Sequence, residues 1–162
     1  MPLSSSNSSK VYESHIAWNP ARPDTVVISC VDGRWRQHVQ DFAINHLSAG
    51  PNSDFMAVPG GIEPLTLGDW VPKDFNFFRR RLEALTADHG TRRIVAVAHQ
   101  DCAWYRARKI GPFETDLREG QIADLRKSAR LLREMFPAIA VETYFARLNG
   151  SSPPRVVFEP VP

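Results

Sequence analysis

Apolar residues along this chain fall into two kinds of run. Thr25 to Cys30 and Arg93 to Ala98 are short, nearly continuous and β-branched, the pattern of strands buried on both faces. Elsewhere the apolar positions recur at helical spacing. Trp35, Val39, Phe42 and Leu47 share a face within Arg34 to Leu47, and Gly50 supplies a stop. Phe75, Phe78, Leu82 and Leu85 do so within Asp74 to His89, which Gly90 closes. Ile122, Leu125, Ala129, Leu132 and Phe136 form the stripe of a long helix over Asp116 to Phe136. Asp116 and Glu119 stand at capping-box spacing at its start, and Pro137 ends it. Asp54 to Val58, Ala140 to Leu148 and Arg155 to Glu159 read as further strands, the first running into the turn Pro59-Gly60-Gly61. Ser151 to Pro154 is too short for a crossover, so the last two strands pair antiparallel. Strands alternating with helices predict an α/β fold, a mostly parallel central sheet of about five strands flanked by helices. Ligands of such sheets bind beyond the carboxyl ends of the strands, where the strand order reverses.

Length and composition narrow the picture. The chain has 162 residues, one domain's worth. We expect a single domain over 21–162, after a flexible tail over 1–20 whose first ten residues are rich in serine. A net charge of +2 provides no basic field for nucleic acid. The run Arg79-Arg80-Arg81 fans out on a helix and reads as a solvated face. No stretch approaches the ~18 apolar residues of a membrane span. The N-terminus lacks the apolar centre of a secretory signal, so a cytoplasmic location is expected, where thiols stay reduced.

The chemistry concentrates at two strand ends. Cys30-Val31-Asp32-Gly33-Arg34 follows the first strand and His99-Gln100-Asp101-Cys102 follows the third. These hold the only two cysteines of the chain. If the two strands are neighbours, Cys30, His99 and Cys102 converge and fill three positions of a tetrahedral zinc site, leaving the fourth for water. Two thiolates make the metal a weaker Lewis acid than three histidines would, so the site benefits from a group that orients the water. Asp32 can do this if Arg34 holds it ionised and aimed; alternatively Asp32 swings onto the metal and closes the site. His15, His38, His46 and His89 have no ligand spacing to either motif.

On these residues the chain resembles the β-class carbonic anhydrases, a family marked by Cys-x-Asp-x-Arg and, one strand–helix unit later, His-x-x-Cys. The likeness covers about Thr25 to Glu159, including the order of elements. It implies one Zn²⁺ per chain on Cys30, His99 and Cys102, with Asp32 and Arg34 as the catalytic dyad. The implied reaction is reversible hydration of CO2 to bicarbonate by zinc-bound hydroxide, in a homodimer or larger homo-oligomer. The chain departs from the family's pattern in places. Ala103 stands where glycine is usual, and Ala57-Val58-Pro59-Gly60 replaces Arg-Asn-Ala-Gly. Glu63 to Lys73 looks inserted, and the N-terminal arm that wraps the partner subunit looks short. Trp104 and Tyr105 follow the metal motif, where they either wall the pocket or join the core, the core reading slightly ahead.

Three other readings compete. One is a non-catalytic zinc protein, and another a hydrolase of COS or CS2 using the same ligands. The third takes Cys30 and Arg36 as the Cys-x₅-Arg loop of a cysteine-dependent phosphatase. That one leaves His99 and Cys102 without a purpose and puts Asp32 where phosphate would lie.

Overall fold

A computed structural model describes residues 11–50, 52–108 and 116–162. Its five strands are β1 (Thr25–Cys30), β2 (Asp54–Val58), β3 (Arg93–His99), β4 (Ala140–Leu148) and β5 (Val156–Pro160). They form one sheet in the order β2-β1-β3-β4-β5. Every pairing is parallel except β4 with β5. The expected neighbourhood of β1 and β3 is therefore observed, in a register that sets Val27 beside Val95 and Ser29 beside Val97.

The burial of each strand follows its place in the sheet. All six residues of β1 are buried, as is β3 after Arg93, which is why both read as continuous apolar runs. β2 lies at an edge, and its residues alternate between half-buried and exposed.

Four helices cover the sheet: α1 (Gly33–Asn45), α2 (Pro72–His89), α3 (Ala103–Ala107) and α4 (Leu117–Met135). α1 packs on one face, where Trp35, Val39 and Phe42 meet Val27, Val95 and Val97. α2 and α4 pack on the other, where Phe78, Leu82, Leu125 and Leu132 meet Val26, Ile28, Ile94 and Ala96. Each of these large side chains contributes about 1.5–3 kcal/mol by leaving water.

The helix ends follow local rules. Asp116 caps α4 by accepting the amides of Arg118 and Glu119 at 2.8 and 3.1 Å. Gly90 ends α2 in the left-handed region at φ +69°. α2 begins two residues before the expected Asp74, because Pro72 takes the first helical turn, where a missing N–H costs nothing.

Two elements are additions to the sequence reading. α3 starts directly after Cys102, and a 3₁₀ turn spans Glu63–Leu65. This turn belongs to the segment that looked inserted, and Ile62, Glu63, Leu65 and Thr66 are all buried there. Of the expected N-terminal tail, residues 1–10 lie outside the described residues; residues 11–20 are exposed and form neither helix nor strand.

Candidate metal centre

β1 and β3 diverge to β2 on one side and β4 on the other, so their carboxyl ends mark the reversal of strand order. Cys30 is the last residue of β1 and His99 the last of β3. Cys102 returns to them through Asp101, which adopts φ +59°. That left-handed conformation is uncommon outside glycine, and aspartate is among the residues that tolerate it best. The turn is tied down by ion pairs from Asp101 to Arg106 at 2.6 Å and to Arg34 at 3.8 Å. On the other side of β1, Gly61 lies so close that a Cβ there would come within 3.1 Å of the Cys30 nitrogen.

The three donor side chains converge. The sulfurs of Cys30 and Cys102 are 3.9 Å apart, and the ligand atoms of Cys30, His99 and Cys102 all lie within 4.8 Å of one another. Zinc–sulfur bonds of ~2.3 Å at tetrahedral angles put two sulfurs ~3.8 Å apart, so the observed separation suits that ion. His99 supplies the more telling observation. Its Nδ1 is 2.8 Å from the Gln100 carbonyl oxygen, which can only accept, so Nδ1 carries the proton. Nε2 is then an acceptor, buried and without a hydrogen-bond partner among the described residues. Such an orphan costs free energy unless something fills it, and the three donors together could hold a metal ion.

The two thiols share a hydrogen bond. With the Cys102 S–H as donor and help from His99, the Cys30 thiol falls to about 4. The same bond, together with burial, pushes Cys102 well up. The metal-free pair therefore holds a single proton across the neutral range.

Asp32 sits at the N-terminus of α1, paired with Arg34 and lining the same pocket as Cys30. Its carboxylate caps the helix through the Arg34 amide at 3.0 Å and receives the Arg34 guanidinium at 2.6 Å. That pairing holds its carboxyl down at about 2. Of the two arrangements the sequence allowed, the structure has the one with Asp32 on arginine. Because the Arg34 amide is taken by Asp32, the loop is no open cradle for phosphate, and the Cys30 sulfur faces Cys102 and His99.

Beside Cys30 and Asp32 lies a pocket of about 390 Å³, walled by Val31, Pro59, Ala103 and Trp104. Trp104 is 47% exposed and stands between this pocket and a second cavity of about 290 Å³ against Glu63 and Arg108. Of the two places open to Trp104, the structure gives it the pocket wall, on the outward side of the short helix α3. Tyr105 does turn inward, and its hydroxyl donates to Asp124 at 2.9 Å. Trp35, Asp101 and Gln121 also shape the site without having been singled out in the sequence. Gln121 on α4 donates to the His99 carbonyl at 2.9 Å, and at sequence level it looked like one more polar helix residue.

Residues 22–153 match the family model described as "Putative carbonic anhydrase". The chain belongs to this family. It is a divergent, β-carbonic anhydrase-like member of it. A curated relative, an uncharacterized protein of Rickettsia conorii, is 28% identical over 130 residues, covering 78% of this chain and 68% of its own length. Among solved structures, the β-carbonic anhydrase isoform I of Trichomonas vaginalis matches with TM-score 0.55 and 16% identity, over 90% of this chain and 87% of its own. A tetrameric β-carbonic anhydrase of Sordaria macrospora matches with TM-score 0.55 and 16% identity, over 85% and 80%. The carbonic anhydrase of Glaciozyma antarctica matches with TM-score 0.52 and 15% identity, over 79% of each chain. At these identities the structures establish a shared fold. The carbonic anhydrase-like family and the Cys-His-Cys cluster stand together, on a sheet of the family's architecture.

Proposed function

We propose that this carbonic anhydrase-like chain is a zinc-dependent carbonate dehydratase that interconverts CO2 and bicarbonate. The observation that carries the reading is the buried His99 Nε2, without a hydrogen-bond partner among the described residues, facing two sulfurs 3.9 Å apart. Cys30, His99 and Cys102 would hold one Zn²⁺. Bound there, the ion supplies a Lewis acid that lowers the pKa of water at its open position.

The remaining chemistry belongs to the chain. Asp32 is ionised at every working pH, and its carboxylate, beside the pocket, would orient water as a hydrogen-bond acceptor. Arg34 keeps that carboxylate off the ligand set by holding it with three side-chain hydrogen bonds of 2.6 to 3.2 Å. Val31, Pro59, Ala103 and Trp104 provide an apolar wall for a small neutral substrate. The same wall disfavours an anion, so bicarbonate leaves.

The domain implied is 21–162. A homodimer or larger assembly fits exposed Val31 and Trp104 at the pocket mouth, and the Sordaria relative is a tetramer. The described residues contain no helix long and apolar enough to cross a membrane, in keeping with a cytoplasmic enzyme. The apolar wall also suits COS and CS2, which makes their hydrolysis the second reading.

The test is stopped-flow CO2 hydration from pH 7 to 9 on protein whose zinc has been counted by elemental analysis. Turnover with near-stoichiometric zinc is expected. Full zinc without turnover identifies a non-catalytic zinc protein, unless COS or CS2 is consumed in its place. Metal-free protein after zinc-replete purification ends the proposal.

A further inference from the structure

We infer that Trp35 is a positioning residue for the metal: its indole clamps the His99 imidazole in the one orientation that points Nε2 at the two sulfurs. This rests on the zinc reading above and goes beyond it.

The ring of Trp35 lies over that of His99 with centroids 4.9 Å apart and planes 31° from parallel. That separation is within the range of favourable aromatic contacts. Both residues are buried, Trp35 at 7% and His99 at 2% exposure. Trp35 has no freedom to leave, because it is packed among Val27, Val39, Val95 and Val97 between α1 and the sheet.

His99 is otherwise held at two points. The Nδ1–H···O=C bond to Gln100 fixes which nitrogen carries the proton, and Gln121 fixes its backbone carbonyl. Neither sets the tilt of the ring about that hydrogen bond. The indole face does. Trp35 also follows Arg34 directly, and its amide closes the first turn of α1 onto the Asp32 carbonyl at 3.0 Å. One helical turn therefore carries the Asp32–Arg34 pair on its outer side and the clamp for His99 on its inner side.

Partners that orient a ligating histidine are commonly worth 10–100-fold in metal affinity. The experiment compares wild type, Trp35→Leu and Trp35→Phe, all purified metal-free. Zinc affinity is measured by competition with a chromophoric chelator at fixed pH, and the His99 tautomer from its ring ¹⁵N shifts. Trp35→Leu, which keeps apolar bulk but no ring, is expected to bind zinc about 10–100-fold more weakly and, with the imidazole no longer held against the Gln100 carbonyl, to populate both tautomers. Trp35→Phe retains a ring face and is expected within about threefold of wild type.

A folded Trp35→Leu with wild-type affinity and a single tautomer overturns the inference. So does a Trp35→Phe that is folded yet as weak as the leucine variant, since bulk rather than a ring face would then be the cause. Should Trp35→Leu not fold, the phenylalanine variant alone decides. Failure of wild type to bind zinc defeats the functional reading instead, and the tautomer comparison of the metal-free proteins still tests the clamp.

Discussion

Asp32 and Arg34 form a closed two-residue unit: the guanidinium approaches one carboxylate oxygen at 2.6 Å while the backbone amide of the same arginine holds the other at 3.0 Å. The helix cap and the ion pair are thus one structure, and substitutions can separate its two duties. Asparagine caps helices as well as aspartate does. Asp32→Asn is therefore expected to keep its zinc and its fold at neutral pH while losing about 10²–10⁴-fold in CO2 hydration, read by stopped flow beside elemental analysis. Retained activity in this variant removes Asp32 from the mechanism.

The same unit gives an acid signature. The Asp32 carboxyl is lowered from 3.8 to about 2 in the folded chain. A lowered acid stabilises the fold fully above its unfolded value and ceases to do so as pH falls through its folded value. The stability lead of wild type over Asp32→Asn should be constant above about pH 4 and vanish towards about pH 2. Urea midpoints of both proteins across that window measure it.

Arg34→Ala frees the carboxylate without removing it. Activity is expected to fall about tenfold or more, with zinc bound at least as tightly as in wild type, because Asp32 can then reach the open position on the ion. Weaker zinc binding in this variant would mean that Arg34 supports the ligand set and not the dyad.

Zinc uptake should release protons. The metal-free thiol pair keeps one proton at neutral pH, on the sulfur whose pKa is pushed up, and ligation requires both thiolates. Binding at pH 7 should expel about one proton, and apparent affinity should rise about tenfold per pH unit from pH 6 to 8. Calorimetry in buffers of different ionisation enthalpy counts the protons. Cys102→Ser should bring zinc content close to zero, and an unchanged content means another ligand set.

Gly60 is the fourth position to probe. A Cβ there would fall 2.3 Å from Trp104 Cδ1, on a backbone at φ +77°. Gly60→Ala should lower the melting temperature through both the contact and the left-handed backbone, the latter costing about 1–2 kcal/mol. Adding Trp104→Ala relieves the contact alone, so the two substitutions should be non-additive in thermal melts.

Much of this molecule was legible in its residues, for reasons that can be named. β1 and β3 showed themselves because central strands bury both faces and tolerate little but apolar side chains. Cys30, His99 and Cys102, which the structure brings together, were legible because ligand-type side chains at short spacing after two strands stand out. Trp35 was visible only as part of a helix face, since stacking on an imidazole 64 positions away leaves no local pattern. Whether Trp104 walls the pocket or joins the core stayed open in the sequence, because its place depends on how α3 turns after β3. The 3₁₀ turn at Glu63 was obscured by its acidic and proline residues, although Ile62 and Leu65 anchor it in the core.

β1 and β3, whose ends carry Cys30 and His99, are the innermost strands of the sheet. Their positions are set by hydrophobic packing on both faces of the sheet, with no ion needed to hold them. Small zinc domains behave in the opposite way, using the metal to order the chain. On the proposed zinc reading, stripping the metal should therefore leave an intact receptor that can be reloaded within a persistent fold.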